Sequence, residues 1–207
     1  SEVQDLDAGA TVNDTITYTA SDGTTQQITV TITGTNDAAV VSGTTTGAVT
    51  EGNVGDAPVT ATGTISISDA DADDSPSFAD VASTAGDNGY GSFVLTSGTW
   101  TYTLDQSAVQ DLDAGDTVND TITYTASDGT TQQISVTITG TNDASVVSGT
   151  TTGAVAEGNV GDAPVTATGT ISISDADADD SPSFADVAST VGDNGYGSFV
   201  LTSGSWT

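Results

Sequence analysis

No lysine, arginine, histidine, cysteine or methionine occurs among the 207 residues. Each absence excludes some chemistry. Without Lys or Arg, no side-chain cation neutralises phosphate, which excludes direct nucleic-acid binding, and an anionic membrane repels the chain. Without Cys or His, zinc, haem and iron–sulfur sites lose their usual ligands. Hydrolase triads and Schiff-base chemistry lack their bases and nucleophiles. No run of 18 apolar residues is present, so no membrane-inserting helix is expected. With neither an initiating Met nor a leader, the chain reads as an excerpt or a processed piece of a longer one.

What remains is strongly acidic. The chain carries 29 acidic side chains and a formal net charge of −29. Only Glu2, Glu51 and Glu157 are glutamates; the other 26 acids are Asp. Asp bonds its own backbone and suits turns and calcium loops. Carboxylates, hydroxyls and amides together suit a hard cation such as Ca2+.

The sequence repeats itself. QDLDAG begins at Gln4 and again at Gln110, and the long phrase starting EGNVGDAPVT begins at Glu51 and again at Glu157, a shift of 106 in both cases. Residues 1–101 match residues 107–207 at all but seven positions, namely 2, 10, 29, 39, 50, 85 and 99. A period of 106 exceeds the roughly 20–50 residues of a solenoid unit and fits one autonomous small domain. The most loop-like boundary is Gly34-Thr35-Asn36-Asp37-Ala38, repeated at Gly140-Thr141-Asn142-Asp143-Ala144. The expected organisation is therefore the C-terminal part of one repeat domain (1–38), one complete domain (39–144) and the N-terminal part of the next (145–207). The partial domains are expected to be completed by neighbouring chain in a longer array or by neighbouring molecules in a fibre.

Alternation with period two runs through the apolar residues, and helical periodicity is absent. Thr121–Ala126 and Gln133–Thr139 alternate around Ser127-Asp128-Gly129-Thr130, a hairpin signal. Gly91–Thr96 and Thr99–Leu104 flank Ser97-Gly98 in the same way, Gly63–Ser68 supplies another strand, and Val40-Val41 and Val59 mark weaker ones. About seven short strands in a period predict an all-β fold: tandem two-sheet sandwiches of immunoglobulin or cadherin type. The expected core is Ile65, Ile67, Phe93, Leu95, Trp100, Tyr102, Leu104, Leu112, Ile122, Tyr124, Ile134, Val136 and Ile138. Such a core is small against a conformational entropy cost on the order of 100–200 kcal/mol. Disulfides and Lys–Asn clamps are impossible here, so metal binding is the staple left available.

The densest acidic cluster is Asp69-Ala70-Asp71-Ala72-Asp73-Asp74, repeated as Asp175-Ala176-Asp177-Ala178-Asp179-Asp180. D-x-D-x-D is calcium-loop spacing. Asp74 stands where an EF-hand needs Gly, Asp80 where it needs Glu, and no amphipathic helix flanks the loop, so the expectation is a calcium loop at a strand end, with a solvated acidic turn as the alternative. Asp105, Asp111, Asp113, Asp116 and Asp128 each read singly as turn formers.

Three stretches carry a family resemblance: Gly98-Thr99-Trp100-Thr101-Tyr102-Thr103-Leu104-Asp105, Asp128-Gly129-Thr130-Thr131, and Val136-Thr137-Ile138-Thr139-Gly140-Thr141-Asn142-Asp143-Ala144. The chain resembles the VCBS-type, cadherin-like tandem repeat of large type I-secreted bacterial surface (adhesin-like) proteins. The resemblance implies calcium held by an early Glu, a mid-domain acid, an Asn-Asp linker and the D-x-D of the next domain. Carried over, Glu51, Asp105, Asn142, Asp143, Asp175 and Asp177 meet at one junction, and Asn36, Asp37, Asp69, Asp71 and Asp128 serve the preceding one. Asp73 and Asp179, third acids of the D-x-D-x-D phrase, and Glu157, one period after Glu51, complete the candidate metal ligands. Gln106 stands where the family has an acid-rich motif, and the linker lacks the full Asp-x-Asn-Asp-Asn. Whether ions bridge domains or sit inside one stays open.

Near-identical beads serve length better than chemistry. The function expected is a calcium-stiffened structural repeat of an adhesin stalk or filament, secreted or at the cell surface. Its partners are neighbouring repeats of the same chain or fibre. The alternative is a carbohydrate- or ice-binding module, with a host or surface glycan as its partner, motivated by the outward-facing Thr121, Thr123, Thr125, Thr137 and Thr139; Thr is also simply a good solvent-face strand residue. No carboxylate pair stands out as a glycosidase centre, and no catalytic role is expected.

Overall fold

A computed structural model of the chain describes residues 3–207. It divides into two compact units. The first gathers residues up to Val49 with Ala57–Ala108 and Val118–Ile138, and the second gathers Thr50–Asp56, Val109–Thr117 and Thr139–Thr207.

The first unit opens with a hairpin of β1 (Thr11–Thr19) and β2 (Thr25–Thr33), paired antiparallel with Ile16 opposite Ile28. Then come β3 (Val40–Gly43), β4 (Thr46–Thr50), β5 (Thr60–Ser68), β6 (Val81–Ala85), β7 (Gly91–Thr96) and β8 (Thr99–Leu104). A single 3-10 turn, Gln106–Ala108, precedes β9 (Thr117–Thr125) and β10 (Thr131–Thr139). One sheet has the order β3-β5-β8-β7-β6, and the other has β4-β10-β9. Each strand offers one apolar row, and the two rows face each other. Phe93, Leu95, Trp100, Tyr102 and Leu104 from the five-stranded sheet are buried, as are Ile122, Tyr124, Ile134, Val136 and Ile138 from the other. Burial of each large side chain is worth roughly 1.5–3 kcal/mol. The result is the expected β-sandwich.

Its centre is more specific than alternation alone requires. The Trp100 indole N–H donates to the Thr44 carbonyl at 2.7 Å, and the rings of Phe93 and Tyr102 lie 4.6 Å apart at 50°. Asp120 on β9 is fully buried. It accepts the Asn88 and Thr121 amides at 3.0 and 3.1 Å and the Tyr102 hydroxyl at 3.2 Å, tying the two sheets together. The β7–β8 turn is held by Ser97 and Gly98, both at positive φ (49° and 76°), as a tight hairpin turn demands.

Some expectations shift. Residues 39–144 contain eight strands rather than about seven. The unforeseen ones are β4 and β6, whose short sequences TGAVT and VASTA carry little apolar alternation. Val59 lies just outside β5. Ile67 and Leu112 are half-buried rather than core, while Val49, Ala61, Val109 and Ala126 join the core.

The second unit carries β11 (Val146–Gly149), β12 (Gly169–Ser174), β13 (Val187–Val191), β14 (Ser198–Thr202) and β15 (Ser205–Trp206) in the order β11-β12-β15-β14-β13. This is the five-stranded sheet of the first unit one period later, and Val146 faces Ser174 as Val40 faces Ser68. No helix among the described residues is long and apolar enough to cross a membrane.

Candidate metal centres

Among the described residues two acidic clusters form, one in each unit. In the second unit, the linker after β10 and the loop after β12 converge. Gly140 sits so close to Leu112 and Asp113 that a Cβ would lie 2.5 Å from the Asp113 carbonyl. Its amide donates to Asp116 O (2.8 Å), and its carbonyl accepts from Gly115 (3.1 Å). This close approach sets the Asp111–Asp116 loop beside Thr141-Asn142-Asp143. The start of Thr50–Asp56 is drawn in as well, because the Glu51 amide donates to Thr139 O at 3.0 Å and Gln110 Nε2 to Gly52 O at 2.8 Å.

The carboxylates then meet. Glu51 Oε1 accepts the Thr141 amide at 3.1 Å. Asp177 Oδ2 accepts the Asp143 amide at 2.9 Å. Asp175 Oδ1 accepts the Asp177 amide at 3.2 Å, an Asx turn, and its other oxygen accepts the Ser145 hydroxyl. Asp175, Asp177 and Asp180 bring one carboxylate oxygen each within 4.8 Å of one another. Glu51, Asp143 and Asp177 are buried at 5, 6 and 4 % exposure. Glu51 Oε2, Asp143 Oδ2 and Asp177 Oδ1 are buried without any hydrogen-bond donor.

The electrostatics follow from this crowding. Burial pushes Glu51 upward, and Asp143, Asp177 and Asp111 add to the push. Burial also raises Asp143, with Asp177 and Asp175 contributing. Asp180 is raised by desolvation and by Asp175, Asp177, Asp113 and Asp179. Asp175 goes the other way, because the Ser145 hydroxyl and the Asp177 amide hold its carboxylate.

The first unit repeats the pattern less completely. Asp71 is buried, accepts the Asp37 amide at 2.9 Å, and leaves Oδ1 without a donor. Asp69, Asp71 and Asp74 form the three-carboxylate group. Asp74 is raised by desolvation and by Asp69, Asp71, Asp7 and Asp128. At position 39, Ala replaces the Ser145 hydroxyl.

The sequence-derived candidates divide accordingly. Glu51, Asp143, Asp175 and Asp177 come together in one cluster, and Asp37, Asp69 and Asp71 in the other. Asn36 and Asn142 each turn their side-chain amide onto the next residue's carbonyl, that of Asp37 and Asp143, and so shape the linkers. The Asp73 and Asp179 carboxylates are exposed, but their amides donate to Asp7 and Asp113 at 3.0 and 3.2 Å. Asp105 caps the 3-10 turn by accepting the Ser107 amide and hydroxyl. Asp128 folds the β9–β10 turn through Thr130, which lowers its pKa, and its charge still acts on Asp74. Glu157 is exposed. The sixth position of the acidic phrase, Asp74 and Asp180, supplies the third carboxylate where the fifth was expected. Asp111, taken singly as a turn former, adds its charge to the Glu51 group.

A fit test rests on charge. A buried carboxylate needs a cation or a proton, and this chain has no Lys, Arg or His to provide one. Asp175, Asp177 and Asp180 offer carboxylate oxygens within 4.8 Å of one another, and the donor-less oxygens of Glu51, Asp143 and Asp177 are buried. All are hard donors, which matches the oxygen preference of Ca2+, and the residues present fit such an ion. No curated protein matches the chain. The bacterial cadherin-like domain family matches residues 36–140. The sandwich, the repeat and this match together make the chain a member of the bacterial cadherin-like domain family.

Proposed function

We propose that the chain is a calcium-stiffened structural segment of an extracellular or cell-surface adhesin stalk or filament. Membership of the cadherin-like family supports a structural or adhesive repeat rather than an enzyme. The supporting observation for calcium is the set of orphaned, buried oxygens of Glu51, Asp143 and Asp177 in a chain with no cationic side chain. In this reading Glu51, Asp143, Asp175, Asp177 and Asp180 hold one group of ions. Asp37, Asp69, Asp71 and Asp74 provide a partial counterpart. The ion supplies the positive charge that these oxygens lack. Its binding fixes Thr50–Asp56, the 109–117 loop, the linker and the acidic loop against each other. The division into 1–38, 39–144 and 145–207 belongs to the same reading: part of one bead, one whole bead and part of the next.

Scanning calorimetry with calcium and with EGTA tests this. A protein binding calcium only when folded gains RT ln(1 + [L]/Kd), about 2.7 kcal/mol at 100-fold excess over Kd. That corresponds to a rise on the order of 10–20 °C for a domain of this size. A melting profile indifferent to EGTA removes the calcium assignment.

A further inference from the structure

The acidic loops after β5 and β12 repeat each other bond for bond, with one exception. Asp69 Oδ1 accepts the Asp71 amide at 3.0 Å, and Asp175 Oδ1 accepts the Asp177 amide at 3.2 Å. Asp71 and Asp177 each take a linker amide, that of Asp37 or Asp143, at 2.9 Å. The Asp74 and Asp180 amides return to the Asp71 and Asp177 carbonyls at 3.2 and 3.3 Å. Both loops gather three carboxylates within 4.8 Å. Both leave one oxygen, Asp71 Oδ1 or Asp177 Oδ1, buried without a donor. The exception is the second oxygen of Asp175. It accepts the Ser145 hydroxyl, whereas the equivalent position 39 is Ala, which has nothing to donate.

The surrounding sequence makes this a controlled comparison. Residues 30–49 and 136–155 differ only at position 39, and residues 51–84 and 157–190 are identical. Ala10 and Asp116 also differ, but they keep the same backbone bonds: the Gly34 and Gly140 amides reach their carbonyls at 2.8 Å, and their own amides reach Asp7 and Asp113 carbonyls at 2.9 Å. The Asp116 side chain is exposed.

On the calcium reading given above, we propose that Ser145 is a positioning residue of the metal centre in the second unit, and that Ser or Ala at this position sets the two acidic loops to different calcium affinities, the Ser-bearing loop binding more tightly. A carboxylate oxygen has two lone pairs. The hydroxyl takes one from Asp175 Oδ2 and leaves the other for the ion. With the Asp177 amide on Oδ1 and Ser145 on Oδ2, the Asp175 carboxylate is fixed at both oxygens before an ion arrives. Asp69 is fixed at one. A ligand ordered beforehand spares the binding step that cost, and loss of such an outer bond to a metal ligand weakens binding roughly 10–100-fold. The hydroxyl is also neutral, so it orients Asp175 without competing with the cation. Between the two affinities one loop fills while the other stays empty, and the chain stiffens in steps rather than all at once.

Titration calorimetry of Ca2+ into the metal-stripped 207-residue chain reads this directly. Ser145→Ala is expected to weaken the tightest class of sites about tenfold or more. Ser145→Thr, which keeps the hydroxyl, should bind close to the parent, and Ala39→Ser should tighten the weaker class. Ser145 is exposed, so melting in EGTA should barely change in any of the three. A Ser145→Ala chain that binds calcium as the parent does, with or without a lower melting temperature in EGTA, overturns the proposal. So does a Ser145→Thr chain as weak as Ser145→Ala. Either result leaves the calcium reading intact, whereas a parent chain that takes up no calcium removes both.

Discussion

The backbone amide of Asp143 donates to Asp177 Oδ2 at 2.9 Å, and the same bond recurs 106 residues earlier between Asp37 and Asp71. In each pair the receiving Asp keeps its other oxygen buried and without a donor. One carboxylate thus does two jobs: it fastens the linker, and it leaves a charge facing other charges. Replacing Asp177 by Asn should separate these jobs. The amide oxygen still accepts from Asp143, but the repulsion with Glu51 and Asp143 falls. Asp177→Asn is expected to melt higher than the parent in EGTA and to lose most of the calcium-dependent rise, about 2–3 kcal/mol at saturating ion. Calorimetry of both proteins in both buffers checks it.

The same repulsion predicts an unusual pH response. Glu51 and Asp143 have folded pKa values above their ordinary 4.5 and 3.8. A group raised on folding contributes stability that is complete below its unfolded pKa and is lost as pH rises through its folded one. In EGTA the second unit should therefore gain stability as pH falls from 7 towards the ordinary carboxylate range. Further acidification, below the ordinary 3.8, should reverse the gain, because Asp175 is lowered on folding and loses its contribution as it protonates. Calcium should flatten the first limb by replacing the proton. Thermal melts from pH 2 to 8, with and without calcium, read the sign of both limbs directly.

Asp120 tests the interior. It is fully buried and receives two amides and the Tyr102 hydroxyl. Burial, with the Asp120 charge adding, pushes the Tyr102 phenol far upward, so it remains a donor throughout the physiological range. Asp120→Ala strands these donors and should cost about 3 kcal/mol or more, whereas Tyr102→Phe removes a single charge-assisted bond, about 1.5–3 kcal/mol. Denaturant unfolding of both variants should preserve that order.

Gly63 tests close packing. A Cβ there would sit 2.6 Å from Trp100 Cζ2, and Trp100 is itself pinned by its bond to Thr44. Gly63→Ala is expected to destabilise the sandwich by about 1–3 kcal/mol through overpacking, visible as a lower urea midpoint and a shift in tryptophan fluorescence.

Much was legible before any coordinates. The period of 106, the all-β class and the alternating rows of β7 to β10 follow from residue order, because strand side chains alternate faces with period two and turns announce themselves through Ser-Gly and Asp-Gly. The absence of Lys, Arg and His decided in advance that no protein cation balances the acids. β4 and β6 were not legible, since a strand placed by its neighbours needs little apolar pattern of its own. Only the folded chain selected which acids matter. Asp69, Asp71, Asp73 and Asp74 are nearly indistinguishable in sequence, yet Asp71 is buried, Asp74 joins the three-carboxylate group, and Asp73 contributes its amide instead. Glu51 lies 92 residues from Asp143 and 126 from Asp177 along the chain, and its pKa is raised by both. Composition determines that negative charge must be compensated from outside, whereas burial and backbone hydrogen bonding, which depend on long-range contacts, decide where that need is concentrated.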